Sequence, residues 1–211
     1  MTITKIGHCC LHIIENGVGI LTDPGMFTNE QNSLTGISII IITHEHGDHF
    51  HIDSVKEVLR NNPEAKIITN SAVAKLLEKQ GIACEIVEDG QTTTIKEITI
   101  SGFGKDHAVI YKTIPVVMNT GYLIASRFFL PGDAFITPNV PVEILGMPIA
   151  GPWMKISDSL DWALSIKPRV CIPIHDAILT SRTWIYTVPK KVLEDAGIQF
   201  DALEPGENVE Y

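Results

Sequence analysis

The run Ile37 to Thr43 is almost entirely β-branched, as a strand buried on both faces should be. It ends in His44-Glu45-His46-Gly47-Asp48-His49, which constrains this chain more than any other segment. A strand end is rigid, and the turn after it is free to present side chains. In extended backbone His44 and His46 point the same way, because strand side chains repeat every two residues. Gly47 permits a sharp bend, after which Asp48 and His49 can face the same cavity from the other side. Three imidazoles and a carboxylate so close together form an N/O donor set suited to Zn²⁺, Mn²⁺ or Fe. Burying them together without a cation would be costly.

Further donors recur at the ends of expected strands. His107 follows a strand ending near Ser101, Asp133 closes Leu130-Pro131-Gly132-Asp133, and His175 closes Ile172-Pro173-Ile174-His175. His8 follows the first strand, where it either lines a pocket or packs structurally. Asp23, in Thr22-Asp23-Pro24, either accepts a hydrogen bond from a ligand histidine or caps a turn. Trp153 and Met154, after Gly151-Pro152, either wall a pocket or belong to the core. His12 and His51 are expected to be structural or solvated, and Trp162 and Trp184 to serve a core or an interface.

The rest of the chain reads as one domain over residues 1–211, with no linker, repeat or low-complexity stretch. At 45 % hydrophobic residues it can form a large core without disulfides, and its four cysteines show no C-x-x-C spacing. Short strands are expected at Ile3–Ile6, Leu11–Ile14 and Val18–Leu21, with Asn16-Gly17 as a hairpin turn. Others are expected at Lys66–Thr69, Glu85–Val87, Thr92–Ile95, Ile98–Ser101, Gly121–Ala125, Phe128–Leu130, Val142–Ile149 and Val170–Ile174. Helices are expected from a Ser54/Glu57 capping box, over Ala72–Lys79 and Ser157–Ile166, and from Pro189 at a first turn to Ala196. This order favours an α+β fold: two mixed sheets packed together with helices outside.

No apolar run reaches the roughly 18 residues of a membrane span, and the N-terminus lacks a leader's basic and apolar regions. A cytoplasmic location, with no membrane partner, is the expectation. A net charge of −9 disfavours nucleic acid.

The combination His-x-His-x-Asp-His at 44–49, His107, Pro-Gly-Asp ending at Asp133, and His175 resembles the metallo-β-lactamase-fold hydrolases. Ile6-Gly7-His8, Leu21-Thr22-Asp23-Pro24 and Gly151-Pro152-Trp153-Met154 are similar to the small metal-dependent hydrolases related to ascorbate-6-phosphate lactonases. The resemblance implies a four-layer αβ/βα sandwich with a binuclear metal site at one edge. It assigns His44, His46 and His107 to one cation, Asp48, His49 and His175 to the other, and Asp133 to both. Zinc is the favoured cation, with Mn or Fe as alternatives. The implied nucleophile is a hydroxide bridging the cations, oriented by Asp48, with His8 at the pocket. Such a site suits an ester, lactone or related bond of a small molecule. Its net positive charge favours an anionic or strongly polarised group. A phosphodiesterase or nuclease of the same fold, and a non-catalytic metal-binding protein, are the alternatives. His at position 46 disfavours a flavodiiron-like role, and Asp133 disfavours a true β-lactamase. Lys105-Asp106-His107-Ala108 departs from the common Gly-His-Thr-x-Gly form.

Overall fold

The computed structural model describes residues 1–211. The first sheet contains β1 (Thr2–Gly7), β2 (Cys10–Glu15), β3 (Val18–Thr22), β4 (Ile37–Ile41), β5 (Lys66–Thr69) and β6 (Glu85–Ile86) in that order. The second contains β7 (Thr92–Ile95), β8 (Ile98–Phe103), β9 (Gly121–Ile124), β10 (Phe128–Leu130), β11 (Ile144–Pro148), β12 (Val170–Ile174) and β13 (Gln199–Phe200), again in order. A last strand, β14 (Asn208–Glu210), returns to pair with β1. The helices are α1 (Ile52–Asn61), α2 (Ser71–Glu78), α3 (Ile156–Ile166) and α4 (Arg182–Asp195).

The α+β expectation is met in detail. Each sheet is antiparallel at one end and parallel at the other, changing at β3/β4 in the first and β10/β11 in the second. The two sheets share an inner core that includes Ile3, Leu11, Ile39, Ile41, Ile100, Tyr122, Phe128 and Ile172. α1 and α2 cover the outer face of the first sheet through Val55, Val58, Val73 and Leu77. α3 and α4 cover the second through Leu160, Trp162, Tyr186 and Leu193. β4 shows why its sequence is uniformly apolar. Ile39 and Ile41 face the inner core, while Ile40 faces the helices. Each such side chain contributes roughly 1.5–3 kcal/mol by leaving water.

Strand direction positions the donors. β1, β3, β4, β8, β10 and β12 end on the same edge of the sandwich, because each sheet pairs them in the same sense. In sheets with parallel strands, ligand sites form beyond the carboxyl ends, where topology switches. His8, Asp23, His44, His107, Asp133 and His175 all follow those ends.

Several local expectations are corrected. α1 starts at Ile52 after His51, so Ser54 lies inside the helix, buried and paired with His51 Nδ1 at 3.0 Å, rather than capping it. Pro189 sits inside α4, not in its first turn. It is buried there beside Tyr186 and Leu193, and its burial offsets the backbone hydrogen bond that proline cannot donate. Of the core or interface roles expected for both, Trp162 takes the core one, and Trp184, exposed on α4, does not. The Asn16-Gly17 hairpin forms as expected, with both residues at positive φ (50° and 76°). All four cysteines are free, and no helix is long and apolar enough to cross a membrane.

Arg127, at the start of β10, ties the sheets together. It donates from Nε to Glu143 at 2.7 Å and lies 3.3 Å from Glu15 on β2. Its guanidinium holds the Glu143 carboxyl down at about 2, from an ordinary 4.5. A depressed carboxyl stabilises the fold above its unfolded value and loses that contribution as pH falls through the folded one. Glu143→Gln should therefore cost about 1 kcal/mol at neutral pH. That difference from wild type, measured by denaturant unfolding, should vanish as pH falls from 4.5 to about 2. A difference independent of pH would show that the charge is not what stabilises.

Candidate metal centre

Two four-donor clusters lie side by side at the strand ends. His44, His46, His107 and Asp133 form one; His8, Asp48, His49 and His175 form the other. In each, the potential ligand atoms all fall within 4.8 Å of one another. His44 and His46 share one cluster, and Asp48 and His49 the other. The turn between them needs no glycine conformation at Gly47, which stays out of the left-handed region. Instead, the amides of His49 and Phe50 both donate to the His46 carbonyl, at 2.9 and 2.8 Å. His107, on a departing motif, still reaches the first cluster; its ring lies 4.7 Å from that of His46.

Asp133 joins the clusters. Its Oδ2 is 3.3 Å from His107 Nε2 and 3.0 Å from His175 Nε2, and its Oδ1 is 3.1 Å from His49 Nε2. The backbone around it is fixed closely. The Asp133 amide donates to Asn119 Oδ1, and Asn119 Nδ2 donates to the Pro131 carbonyl. Gly132 has φ +65°, and a Cβ there would lie 2.1 Å from Asn119 Oδ1, so Pro-Gly-Asp requires its glycine.

Asp23 takes the ligand-orienting option rather than the turn cap. Fully buried, it accepts from the Thr43 amide (2.8 Å) and hydroxyl (2.9 Å) and lies 2.8 Å from His49 Nδ1. His49 Nε2 is thereby turned toward Asp133. His8 is buried, with Nε2 3.2 Å from Asp48 Oδ2, and its Nδ1 accepts the Ala177 amide at 3.3 Å. Trp153 donates its indole N–H to Asp133 Oδ2 at 2.7 Å, a contact that its sequence neighbours do not reveal. His175 has φ +59° and is followed by buried Asp176, which Lys5, Tyr186 and Arg182 all contact. Neither Asn119 nor this buried charge cluster carries a signal in the sequence. His12 lies in β2 and His51 at the start of α1, both outside the clusters.

The electrostatics show what the clusters lack. Burial pushes His44 well below its ordinary value and His8 down to about 4, so both rings are neutral at pH 7. Burial also opposes charge on His175, yet the Asp133 and Asp48 carboxylates outweigh it and bring the ring up to about 9. Burial alone would raise Asp133, but His49, His107 and His175 hold it well below the carboxylate range. His49 Nε2, His107 Nε2, His175 Nε2 and Asp133 Oδ1 are buried and, although the nitrogens lie 3.0–3.3 Å from the Asp133 carboxylate, make no well-formed hydrogen bond. Orphaned atoms of this kind are rare unless something else satisfies them. Ligand bonds near 2.0 Å around a tetrahedral cation put neighbouring donor atoms about 3.3 Å apart. His44 Nε2 and His46 Nδ1 are 3.2 Å apart, close to that spacing. The donor set thus fits divalent cations in chemistry and in spacing. Surface concavities, one of them along α2 and β6 beside Ser71, Lys75 and Cys84, contain none of these donors.

Comparison with known proteins agrees with this geometry. Residues 2–175 match the family described as the beta-lactamase superfamily domain. Protein Rv0786c of Mycobacterium tuberculosis is 36 % identical over 184 residues, 85 % of each chain. A UPF0173 metal-dependent hydrolase of Alkaliphilus metalliredigens is 25 % identical, covering 83 % of this chain and 85 % of its own. In structure, the chain is similar to Igni18, a metallo hydrolase from Ignicoccus hospitalis. The TM-score is 0.77 at 22 % identity, over 99 % of this chain and 97 % of that one. The chain belongs to the beta-lactamase superfamily, with the metallo-β-lactamase hydrolase fold.

Proposed function

We propose that this chain is a binuclear metal-dependent hydrolase cleaving an ester, lactone or related acyl bond of a small molecule. The observation that carries this is the pair of buried four-donor clusters joined at Asp133. His44, His46 and His107 would hold one cation, Asp48, His49 and His175 the other, and Asp133 both. The nitrogen-rich set favours Zn²⁺, and the carboxylates also suit Mn²⁺ or Fe²⁺. When bound, such a pair supplies Lewis acidity and brings the pKa of water toward neutrality.

The chain's own residues do the rest. Asp48 is the most exposed donor of the second cluster, 22 % accessible at its side chain, so it faces incoming substrate and orients the attacking water. His8 has a defined tautomer. Because Nδ1 accepts the Ala177 amide, the proton sits on Nε2 and points at Asp48 Oδ2. His8 therefore acts as a neutral donor that steadies Asp48 and faces the reacting group, rather than as a ligand. No serine or cysteine nucleophile is needed. The net positive charge of the loaded site favours an anionic or polarised substrate group inside an otherwise acidic protein.

The test is turnover by zinc-loaded protein of p-nitrophenyl acetate, a lactone panel and bis-p-nitrophenyl phosphate. Acyl hydrolysis abolished by His44→Ala and by Asp133→Ala is expected. Near-normal rates in either variant would refute the site. Turnover of the phosphodiester alone would assign the chain to phosphoryl chemistry. An ester carrying an anionic group should react faster than its neutral counterpart, and the reverse order would remove the charge argument. Asp23→Asn should weaken binding of the second cation 10–100-fold, read by chelator competition, because His49 loses its orienting carboxylate. Unchanged affinity would show that Asp23 serves only the fold.

A further inference from the structure

We infer that Trp153 is a positioning residue for the shared carboxylate, setting the affinity of both cations at once. The inference rests on the binuclear reading above. The Trp153 indole, 9 % exposed, donates from Nε1 to Asp133 Oδ2 at 2.7 Å. That oxygen lies nearest one histidine of each cluster, His107 and His175. The indole ring stands nearly edge-on to both, with centroids 6.0 Å from His107 and 6.1 Å from His175. It thus straddles the boundary between the two clusters.

The surroundings hold the ring in this place. Phe135 packs on it at 5.1 Å, and Trp162 packs on Phe135 at 5.5 Å. Gly151 also lies against the ring, where a Cβ would be 2.7 Å from Trp153 Nε1. Any side chain there would displace the N–H that reaches Asp133. Gly151-Pro152-Trp153 follows the end of β11, so the indole enters from the same sandwich edge as the donors.

The chemistry of an indole fits this task. It donates one hydrogen bond, accepts none, carries no charge and cannot itself ligate a cation. It can therefore restrain Asp133 without competing with the histidines for a cation. Without it, the carboxylate, which lies 3.0–3.3 Å from His49, His107 and His175, is oriented by those imidazoles alone, pairings that a cation must then break. A hydrogen bond to Oδ2 also withdraws some electron density from the ligand, an effect of opposite sign. Orientation dominates, because loss of a partner that orients a ligand typically costs 10–100-fold in metal affinity. Since Oδ2 faces both clusters, the loss falls on both cations. Asp23 differs, acting through His49 alone.

The experiment is Zn²⁺ titration against a competing chelator for wild type, Trp153→Phe and Trp162→Phe. Trp153→Phe keeps an aromatic ring and removes the N–H. Both binding steps should weaken 10–100-fold in Trp153→Phe. They should stay at wild-type values in Trp162→Phe, which disturbs the same aromatic stack without touching Asp133. Wild-type affinity in Trp153→Phe, or equal losses in both variants, would overturn the inference. If wild type itself bound no Zn²⁺, the binuclear reading would fall first, and this inference with it. Should Trp153→Phe not fold, ¹⁵N-indole spectra of wild type decide the question. One solvent-protected indole N–H should shift as Zn²⁺ is added, and protected signals that stay fixed would count against the role.

Discussion

Burying groups that carry or accept charge is expensive unless something compensates, and this constraint governs the edge of the sandwich where the donor-bearing strands end. Two carboxylates and six imidazoles are gathered there, and most are nearly inaccessible to water. Without a cation they compensate one another only in part. Asp133 is held ionised by the three histidines around it, His44 is forced neutral, and the Nε2 atoms of His49, His107 and His175 lie against the carboxylate without a well-formed hydrogen bond. A polar network left half satisfied in a low-dielectric interior is unfavourable. Divalent cations held there would resolve it, because they would satisfy the ring nitrogens and the carboxylate together.

The fold makes that convergence possible. Both sheets run through the same sequence of antiparallel then parallel pairings, and their topological switches meet at one edge. The core behind the edge is stiff. Ile39, Ile41, Tyr122, Phe128 and Ile172 pack between the sheets, so the strand ends hold position. Around the donors a further ring of contacts fixes orientation: Asp23 and Thr43 for His49, Asn119 and Trp153 for Asp133, Ala177 for His8. Lys5, Tyr186 and Arg182 gather on Asp176 immediately after His175, bracing the last strand end with a buried charge of its own.

How much of this could be read from the sequence depended on range. The 44–49 motif was legible because strand periodicity places neighbours on known sides, and β4 announced itself by its isoleucines. His107, Asp133 and His175 were legible as donors at strand ends, but only the resemblance gathered them. Asp23 and His8 stood beside recognisable turns, yet their partners lie 26 and 40 residues away and left no local trace. The tryptophan–carboxylate contact spans 20 residues, and the Lys5–Asp176 pair spans 171. Elements failed where tertiary packing overrode a local rule. Pro189 is carried inside a helix because its ring is buried, and Ser54 is drawn into α1 by His51 rather than starting it. Trp184, expected in a core or an interface, lies on the exposed side of α4 and so is not part of the core.

The central claim is that donors spread from His44 to His175 cradle a pair of divalent cations. Elemental analysis of protein purified without chelator, from cells grown with ample Zn, Mn and Fe, tests it most directly. The account predicts about two such cations per chain, falling to about one or fewer in Asp133→Ala. Wild-type protein that is folded yet carries essentially no metal, and takes none up on dialysis, would contradict it.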